Sequence, residues 1–153
     1  MTGRVDHALR WHGGERAIIA RVVDPSLPNA ATGVHRIYLN KDGTKDRRLL
    51  LAGSGVIRLT PDEDTTTGLH VAEGIEKSLA LMLHGFVPMW CAVSAGELSK
   101  LPVLSGIEHL TIFADADEAG ERAAEQCRER WLSADCEVLV ISPKEYGNER
   151  QVA

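Results

Sequence analysis

The chain has 153 residues, of which 44% are hydrophobic and 25% are charged, and its formal net charge is -5. These values are typical of a globular protein with one ordinary domain or two small ones. No apolar run approaches the roughly 18 residues of a membrane helix and no signal peptide is found, which predicts a cytoplasmic protein without a membrane partner. The three cysteines lack a CxxC pair and the histidines lack ligand spacing, which argues against a zinc module.

Charge is distributed unevenly along the chain. Residues 1–60 contain 10 basic and 5 acidic residues, whereas residues 61–153 contain 7 basic and 17 acidic residues. A basic part beside an acidic part suits a protein that binds phosphates with one and metal ions with the other. Ordinary surface variation would produce the same asymmetry, so charge alone leaves both interpretations open.

The first part of the chain, residues 1–66, predicts a basic, β-rich lobe. Residues 1–16 show no periodicity and are predicted to form an arm or a poorly packed, frayed lead-in. Residues 17–24 and 33–40 predict an antiparallel pair of strands, and residues 49–59 add one or two short strands. A basic cluster near the intervening turn is a candidate for nucleic-acid binding, with a solvated hairpin tip as the alternative. This basic cluster consists of Lys41, Lys45, Arg47 and Arg48.

The second part, residues 67–146, predicts an α/β domain, and residues 147–153 are assigned to a tail. A polar boundary segment precedes it, after which short apolar strands alternate with segments of helical periodicity. Four such strands predict a small parallel sheet of about four strands flanked by helices. The predicted strands are 69–72, 88–94, 110–114 and 136–142, and the longer predicted helices are 75–84 and 119–132.

Carboxylates follow two of these strands. Asp115 and Asp117 are two residues apart, so on an extended backbone they lie about 6.5 Å apart on one side and repel by roughly 2.5 kcal/mol at a dielectric near 20. A hard ion such as Mg²⁺ or Mn²⁺ would offset this repulsion, and an acidic helix start is the alternative. Because parallel strands end at one edge of a sheet, Glu73 is expected to converge with the aspartates.

The ordered set of motifs resembles the Toprim domain of primases, topoisomerases and some nucleases. The resemblance is carried by Glu73-Gly74 after one strand, Gly96 after a second and Asp115-x-Asp117 after a third, with Ala119-Gly120 opening the next helix. It covers residues 68–146. The segments VAEGIEKSLAL and IFADADEAGERAA are most similar to the Toprim modules of phage- and plasmid-type DNA primases, and GVHRIYLNKDG resembles what precedes Toprim in those proteins.

The resemblance implies that Asp115 and Asp117 bind Mg²⁺ or Mn²⁺, while Glu73 completes the metal site or handles a proton. Gly74 and Gly96 would let the backbone approach this site, and Glu118 would be an outer ligand. The implied activity is nucleotidyl transfer in primer synthesis during DNA replication, with single-stranded DNA as template and nucleoside triphosphates as substrates. A helicase or another replication protein is the implied partner.

Two departures from the resemblance and two other functions stay open. Bacterial primases usually have an acid where this chain has Lys77, and the tail offers only Glu145 and Glu149 where relatives are acidic, which leaves a second metal subsite open. The sequence stops just after the last predicted strand, so the chain is also interpretable as a fragment of a longer primase. A Toprim nuclease cutting DNA or RNA would use the same carboxylates. The third possibility is a non-catalytic nucleic-acid-binding or regulatory module, such as a receiver-like α/β domain.

Overall fold

An antiparallel sheet of four strands forms the first part of the protein. The computed structural model describes residue 5 and residues 7–27, 30–51 and 53–143. The strands lie side by side in chain order and each pairs with the next. They are β1 (Leu9–His12), β2 (Ala17–Val23), β3 (Ala31–Leu39) and β4 (Lys45–Leu51).

Strand β1 corrects the prediction that the start of the chain forms an arm. Leu9–His12 pairs along its whole length with β2, and the preceding Ala8 is buried. The side chains of this edge strand are mostly exposed. Its position therefore depends on backbone hydrogen bonds, which leave no alternating hydrophobic pattern for sequence reasoning to detect.

A β-bulge in the hairpin of β3 and β4 changes the direction of a basic side chain. The register shifts between Tyr38 and Leu39, and Asp46 is the extra residue on β4. An extra residue interrupts the alternation of side chains between the two faces of a strand. Lys45 therefore does not share a face with Arg47, although the two are two residues apart.

The second sheet has five strands in the order β5-β7-β6-β8-β9. Strands β6 to β9 are mutually parallel, which confirms the predicted four-stranded parallel sheet, and β5 adds to its edge antiparallel to β7. Strand β5 comes from the segment assigned by sequence to the first lobe. The strands are β5 (Ile57–Arg58), β6 (Gly68–Ala72), β7 (Met89–Cys91), β8 (His109–Phe113) and β9 (Glu137–Ile141).

Three helices connect the parallel strands: α1 (Ile75–Leu83), α2 (Ala95–Lys100) and α3 (Glu118–Leu132). The long helices agree with the predicted ones to within one residue at either end. Helix α2 begins at Ala95, because the Ser94 side chain accepts a hydrogen bond from the Glu97 backbone N–H at 3.2 Å and caps the helix. Gly96 consequently lies in the first turn of α2.

The core lies on both faces of the second sheet. Helices α2 and α3 cover one face, where Trp131 is fully buried and its indole N–H donates to the backbone oxygen of Leu101 at 3.3 Å. The first sheet and α1 contribute to the cluster on the other face, where Ile37 and Ile75 are buried. Within the described ranges, no helix is long and apolar enough to cross a membrane.

The three cysteines are free thiols. Cys91 and Cys127 are buried, and burial raises the pKa of each thiol to about 12. Cys136 is partly exposed.

The segment before β5 connects the two sheets. One oxygen of the Glu97 carboxylate, Oε2, accepts hydrogen bonds from the Ser54 hydroxyl and the Gly55 backbone N–H, both at 2.7 Å. Gly55 has a φ of +142°, and a Cβ there would lie 2.0 Å from the backbone oxygen of Val23. The close approach of these backbones requires glycine. The segment Gly53-Ser54-Gly55 thus holds β2 and α2 to the start of β5.

Candidate active site

Glu73 and Asp115 follow the two central strands of the second sheet. Strands β6 and β8 are parallel hydrogen-bonded neighbours, with Ala72 opposite Phe113 at their carboxyl ends. Glu73 is the next residue after β6, and Asp115 is two residues beyond β8. Both carboxylates therefore emerge at the same edge of the sheet, where open α/β folds bind their ligands.

Gly120 sets the distance between the start of α3 and these carboxylates. A Cβ built on this buried glycine would lie 2.9 Å from the backbone oxygen of Asp115 and 3.0 Å from both Asp115 Cβ and Glu73 Oε1. Both acidic residues therefore contact the same point of the helix backbone. Sequence reasoning included Gly120 in the motif but not among the site residues, because the contact depends on the packing of α3.

Asp117 occupies the N-cap position of α3. Its Oδ1 accepts a hydrogen bond from the Gly120 backbone N–H at 2.7 Å. A carboxylate at this position satisfies a free helix N–H and interacts favourably with the helix dipole. The charge of Asp117 still acts on Glu73, so this residue has both a structural and an electrostatic effect at the site.

Glu73 is the carboxyl group with the most perturbed environment of the three. Partial burial raises its pKa above the ordinary value, and the negative charges of Asp115 and Asp117 raise it further, whereas Lys77 and Arg48 oppose the shift. Its Oε1 is buried and has no hydrogen-bond partner among the described residues. This oxygen is well suited to bind a proton or a cation.

The raised pKa predicts how stability depends on pH. Because the native protein holds the Glu73 proton more tightly than the unfolded chain does, ionisation of Glu73 opposes folding above the native pKa. This penalty vanishes below the ordinary pKa of 4.5. In EDTA, Glu73→Gln should therefore raise the free energy of unfolding near pH ~7, and the gain should shrink as the pH falls through the acid range. Urea denaturation at several pH values measures this difference.

Glu76→Gln is the matched control, and its effect on the free energy of unfolding should have the opposite sign. Burial raises the pKa of Glu76, but the hydrogen bond and charge of Lys45, a backbone hydrogen bond and the charge of Arg48 together outweigh burial and leave this pKa lowered. The ionised group therefore contributes stability above the ordinary pKa, and the contribution is lost as the pH falls. The control should be less stable than the wild type at neutral pH. A similar response from both variants would contradict the assigned environment of Glu73.

Lys77 is in direct contact with one of the three carboxylates, that of Asp115. Its Nζ donates to Asp115 Oδ1 at 2.8 Å and to the backbone oxygen of Ala114 at 2.7 Å. The sequence marks this residue only as a departure from the acid of bacterial primases. Its spacing of four residues from Glu73, in the first turn of α1, is the signal that could have placed it at the site.

Two members of the basic cluster act on Glu73 or on the neighbouring Glu76. Lys45 Nζ is 2.9 Å from Glu76 Oε1, and the charge of Arg48 lowers the pKa of both Glu76 and Glu73. The bulge in β4 is what allows Lys45 to share this side of the sheet with Arg48. The first sheet thus supplies positive charge to the acidic edge of the second.

The other two members of the basic cluster lie elsewhere. The Arg47 guanidinium stacks over the Tyr38 ring at 4.4 Å, on the opposite face of the first sheet. Lys41 is exposed in the hairpin turn that follows β3.

The secondary candidates have ordinary surroundings. Methyl groups built on Gly74 and Gly96 would have their nearest contacts at 3.8 Å, so packing does not require glycine at either position. Glu118 is exposed and forms an ion pair with Arg122 at 3.1 Å. The tail acids of the sequence analysis lie outside the described residues.

The donor chemistry fits a hard divalent ion that is shared with a substrate. Among the residues that the structure describes, no group of three or more His, Cys, Asp or Glu side chains is arranged to hold a metal ion by itself. Mg²⁺ is commonly held by one or two carboxylates together with water and substrate phosphates. Asp115, Asp117 and the unpartnered Oε1 of Glu73 offer oxygen donors of this kind.

A cavity of about 430 Å³ lies near His7, Arg58 and Asp62, and none of the three carboxylates lines it. The converging carboxylates, and not this cavity, therefore define the candidate site.

Fold and site together define an α/β protein with an acidic site at the carboxyl edge of a parallel sheet. Residues 68–149, more than half of the chain, match the Toprim domain family. The chain belongs to that family. A search of curated proteins finds no match.

Several solved primase structures share this fold. The chain is similar to the zinc-binding and RNA polymerase domains of Aquifex aeolicus primase (TM-score 0.55, 17% identity, 89% of this chain and 38% of that one). It is also similar to a DNA primase domain from Pseudomonas aeruginosa (TM-score 0.54, 16% identity, 88% of this chain and 48% of that one). A third similar structure is the primase fragment of the bacteriophage T7 primase-helicase protein (TM-score 0.51, 17% identity, 90% of this chain and 66% of that one). The chain thus spans less than two thirds of each of these structures.

Proposed function

We propose that the chain catalyses metal-dependent nucleotidyl transfer, as the Toprim part of a primase that synthesises primers on single-stranded DNA. The observation that carries the proposal is the convergence of Glu73 and Asp115, with basic side chains from the other sheet close by: Arg48 acts on Glu73, and Lys45 pairs with the neighbouring Glu76. Acidic side chains that bind a metal ion and basic side chains that bind phosphate are the two requirements of phosphoryl transfer.

The extent of the structural likeness favours synthesis over cleavage. Both sheets are included, because 88% to 90% of the chain superimposes on primase structures. A nuclease would need the carboxylates alone. The likeness to a fragment of a primase-helicase also supports a helicase or another replication protein as the partner.

In the proposed reaction, a 3′-hydroxyl attacks the α-phosphate of a nucleoside triphosphate, a new phosphodiester bond forms, and pyrophosphate leaves. Asp115 and Asp117 would hold Mg²⁺ or Mn²⁺, which neutralises charge on the phosphate oxygens when it is bound. Glu73 accepts the proton of the attacking hydroxyl, a role that its raised pKa supports. Lys45 and Arg48 orient phosphate groups at the edge of the site.

The test is incorporation of labelled ribonucleotides on single-stranded DNA, with Mg²⁺ or Mn²⁺ and with an EDTA control. Template-dependent products that require the metal ion would support the proposal. Metal-dependent shortening of the template would contradict primer synthesis and support the alternative function, a Toprim nuclease. Binding of the template with neither synthesis nor cleavage would favour the non-catalytic module.

The division of the basic cluster predicts unequal effects on nucleic-acid binding. Neutralising both Lys45 and Arg48 with glutamine should weaken binding of single-stranded DNA and reduce the slope of log K against log salt by about 1 to 1.5, since each lost phosphate contact contributes about 0.7. Fluorescence anisotropy over a salt series measures this slope.

Arg47→Gln is the control, because Arg47 lies on the opposite face of the sheet. It should change the slope little. Equal slopes for the wild type and the Lys45, Arg48 double variant would remove both residues from the nucleic-acid path.

A further inference from the structure

Lys77 places a positive charge where a divalent ion is expected to bind. Its ammonium group contacts Asp115 Oδ1 at 2.8 Å and also the backbone oxygen of Ala114 at 2.7 Å. The backbone contact fixes the ammonium beside the carboxylate, so the pair does not depend on the carboxylate alone. A carboxylate oxygen in contact with an ammonium is less available to another cation.

The environment of this ion pair differs from that of an ordinary surface pair. The Lys77 and Asp115 side chains are 31% and 41% exposed, whereas those of Lys45 and Glu76 are 50% and 54% exposed. Charge interactions strengthen as water is excluded, and fully exposed pairs contribute little. The Lys77 pair therefore has the larger effect on the potential at the site.

A divalent ion that binds Asp115 would meet both a partly neutralised carboxylate and a direct competitor, the Lys77 ammonium.

We propose that Lys77 is an internal counterion of the carboxylate site, which competes with a divalent metal ion for Asp115 and weakens metal binding by the free protein. The inference rests on the metal-dependent function proposed above. It assigns Lys77 a positioning role: the ammonium holds Asp115 in place before the metal ion and substrate bind. Once displaced from Asp115, the ammonium is available to phosphate oxygens.

The test measures Mn²⁺ binding by the free protein, without nucleic acid or nucleotide, from the electron paramagnetic resonance signal of unbound Mn²⁺. Lys77→Met should bind Mn²⁺ more tightly than the wild type by about tenfold or more, because a neighbouring positive charge is removed. Lys77→Gln removes the charge but keeps a hydrogen-bond donor, and it should show a similar gain. The glutamine variant keeps the proposal testable if the methionine variant does not fold.

Lys100→Met is the matched control. It removes the same charge from an exposed side chain, which is 3.9 Å from Glu97 on α2. Its Mn²⁺ affinity should equal that of the wild type. Unchanged or weaker binding by both Lys77 variants would overturn the proposal, as would an equal gain in the Lys100 variant. Failure of primer synthesis leaves this measurement intact, so the two proposals fail separately.

Discussion

The Asp115→Asn, Asp117→Asn double variant is expected to lose primer synthesis by at least about a thousandfold, because it removes two charges on which phosphate neutralisation depends. It should also lose Mn²⁺ binding. The fold should persist, since asparagine at position 117 can still accept the hydrogen bond from the Gly120 N–H that begins α3. Initial rates, Mn²⁺ affinity and circular dichroism measure the three properties.

A Glu125→Gln, Glu129→Gln double variant is the control for this experiment. It makes the same change of charge within α3, the helix that follows the aspartates, at exposed positions away from the sheet. It should retain activity and metal binding. If the aspartate variant kept the Mn²⁺ affinity of the wild type, the assignment of the metal ligands would be wrong.

The Gly120→Ala variant is expected to lose activity by about a hundredfold, since displacement of a site by about 1 Å has effects of this size. The added methyl group would lie 3.0 Å from Glu73 Oε1 and 2.9 Å from the backbone oxygen of Asp115, so the helix or the carboxylates must move. Stability should change by no more than about 1 kcal/mol, because alanine favours a helix over glycine and offsets part of the strain.

Gly96→Ala serves as the control for Gly120→Ala. It makes the same substitution in the first turn of another helix, where the nearest contact of the methyl group is at 3.8 Å. Its effect on the rate of primer synthesis should be small. Full activity in the Gly120 variant would show that the site tolerates this displacement and that the close contact has no functional importance.

The sequence predicts the parallel sheet well because its strands and helices have strong, regular hydrophobic periodicity. Both long helices lie where that periodicity places them, and the carboxylates follow the predicted strands.

Features that depend on tertiary contacts were not predictable in this way. The bulge at Asp46 is a property of strand register, and it separates Lys45 from Arg47 without any mark in the composition. The contact between Lys77 and Asp115 joins residues that are 38 positions apart through a flexible side chain. Spacing identifies which residues reach the edge of the sheet, but not which charges meet there.

The antiparallel edge strand β5 has a practical consequence for dissecting the protein. A fragment that begins at residue 67 would lack Ile57 and Leu59, both fully buried, and would leave the β7 edge without its partner. Unpaired edges of this kind promote self-association. Expression of the Toprim part alone therefore requires a start upstream of Gly55, so that the strand preceding the family's first motif remains attached.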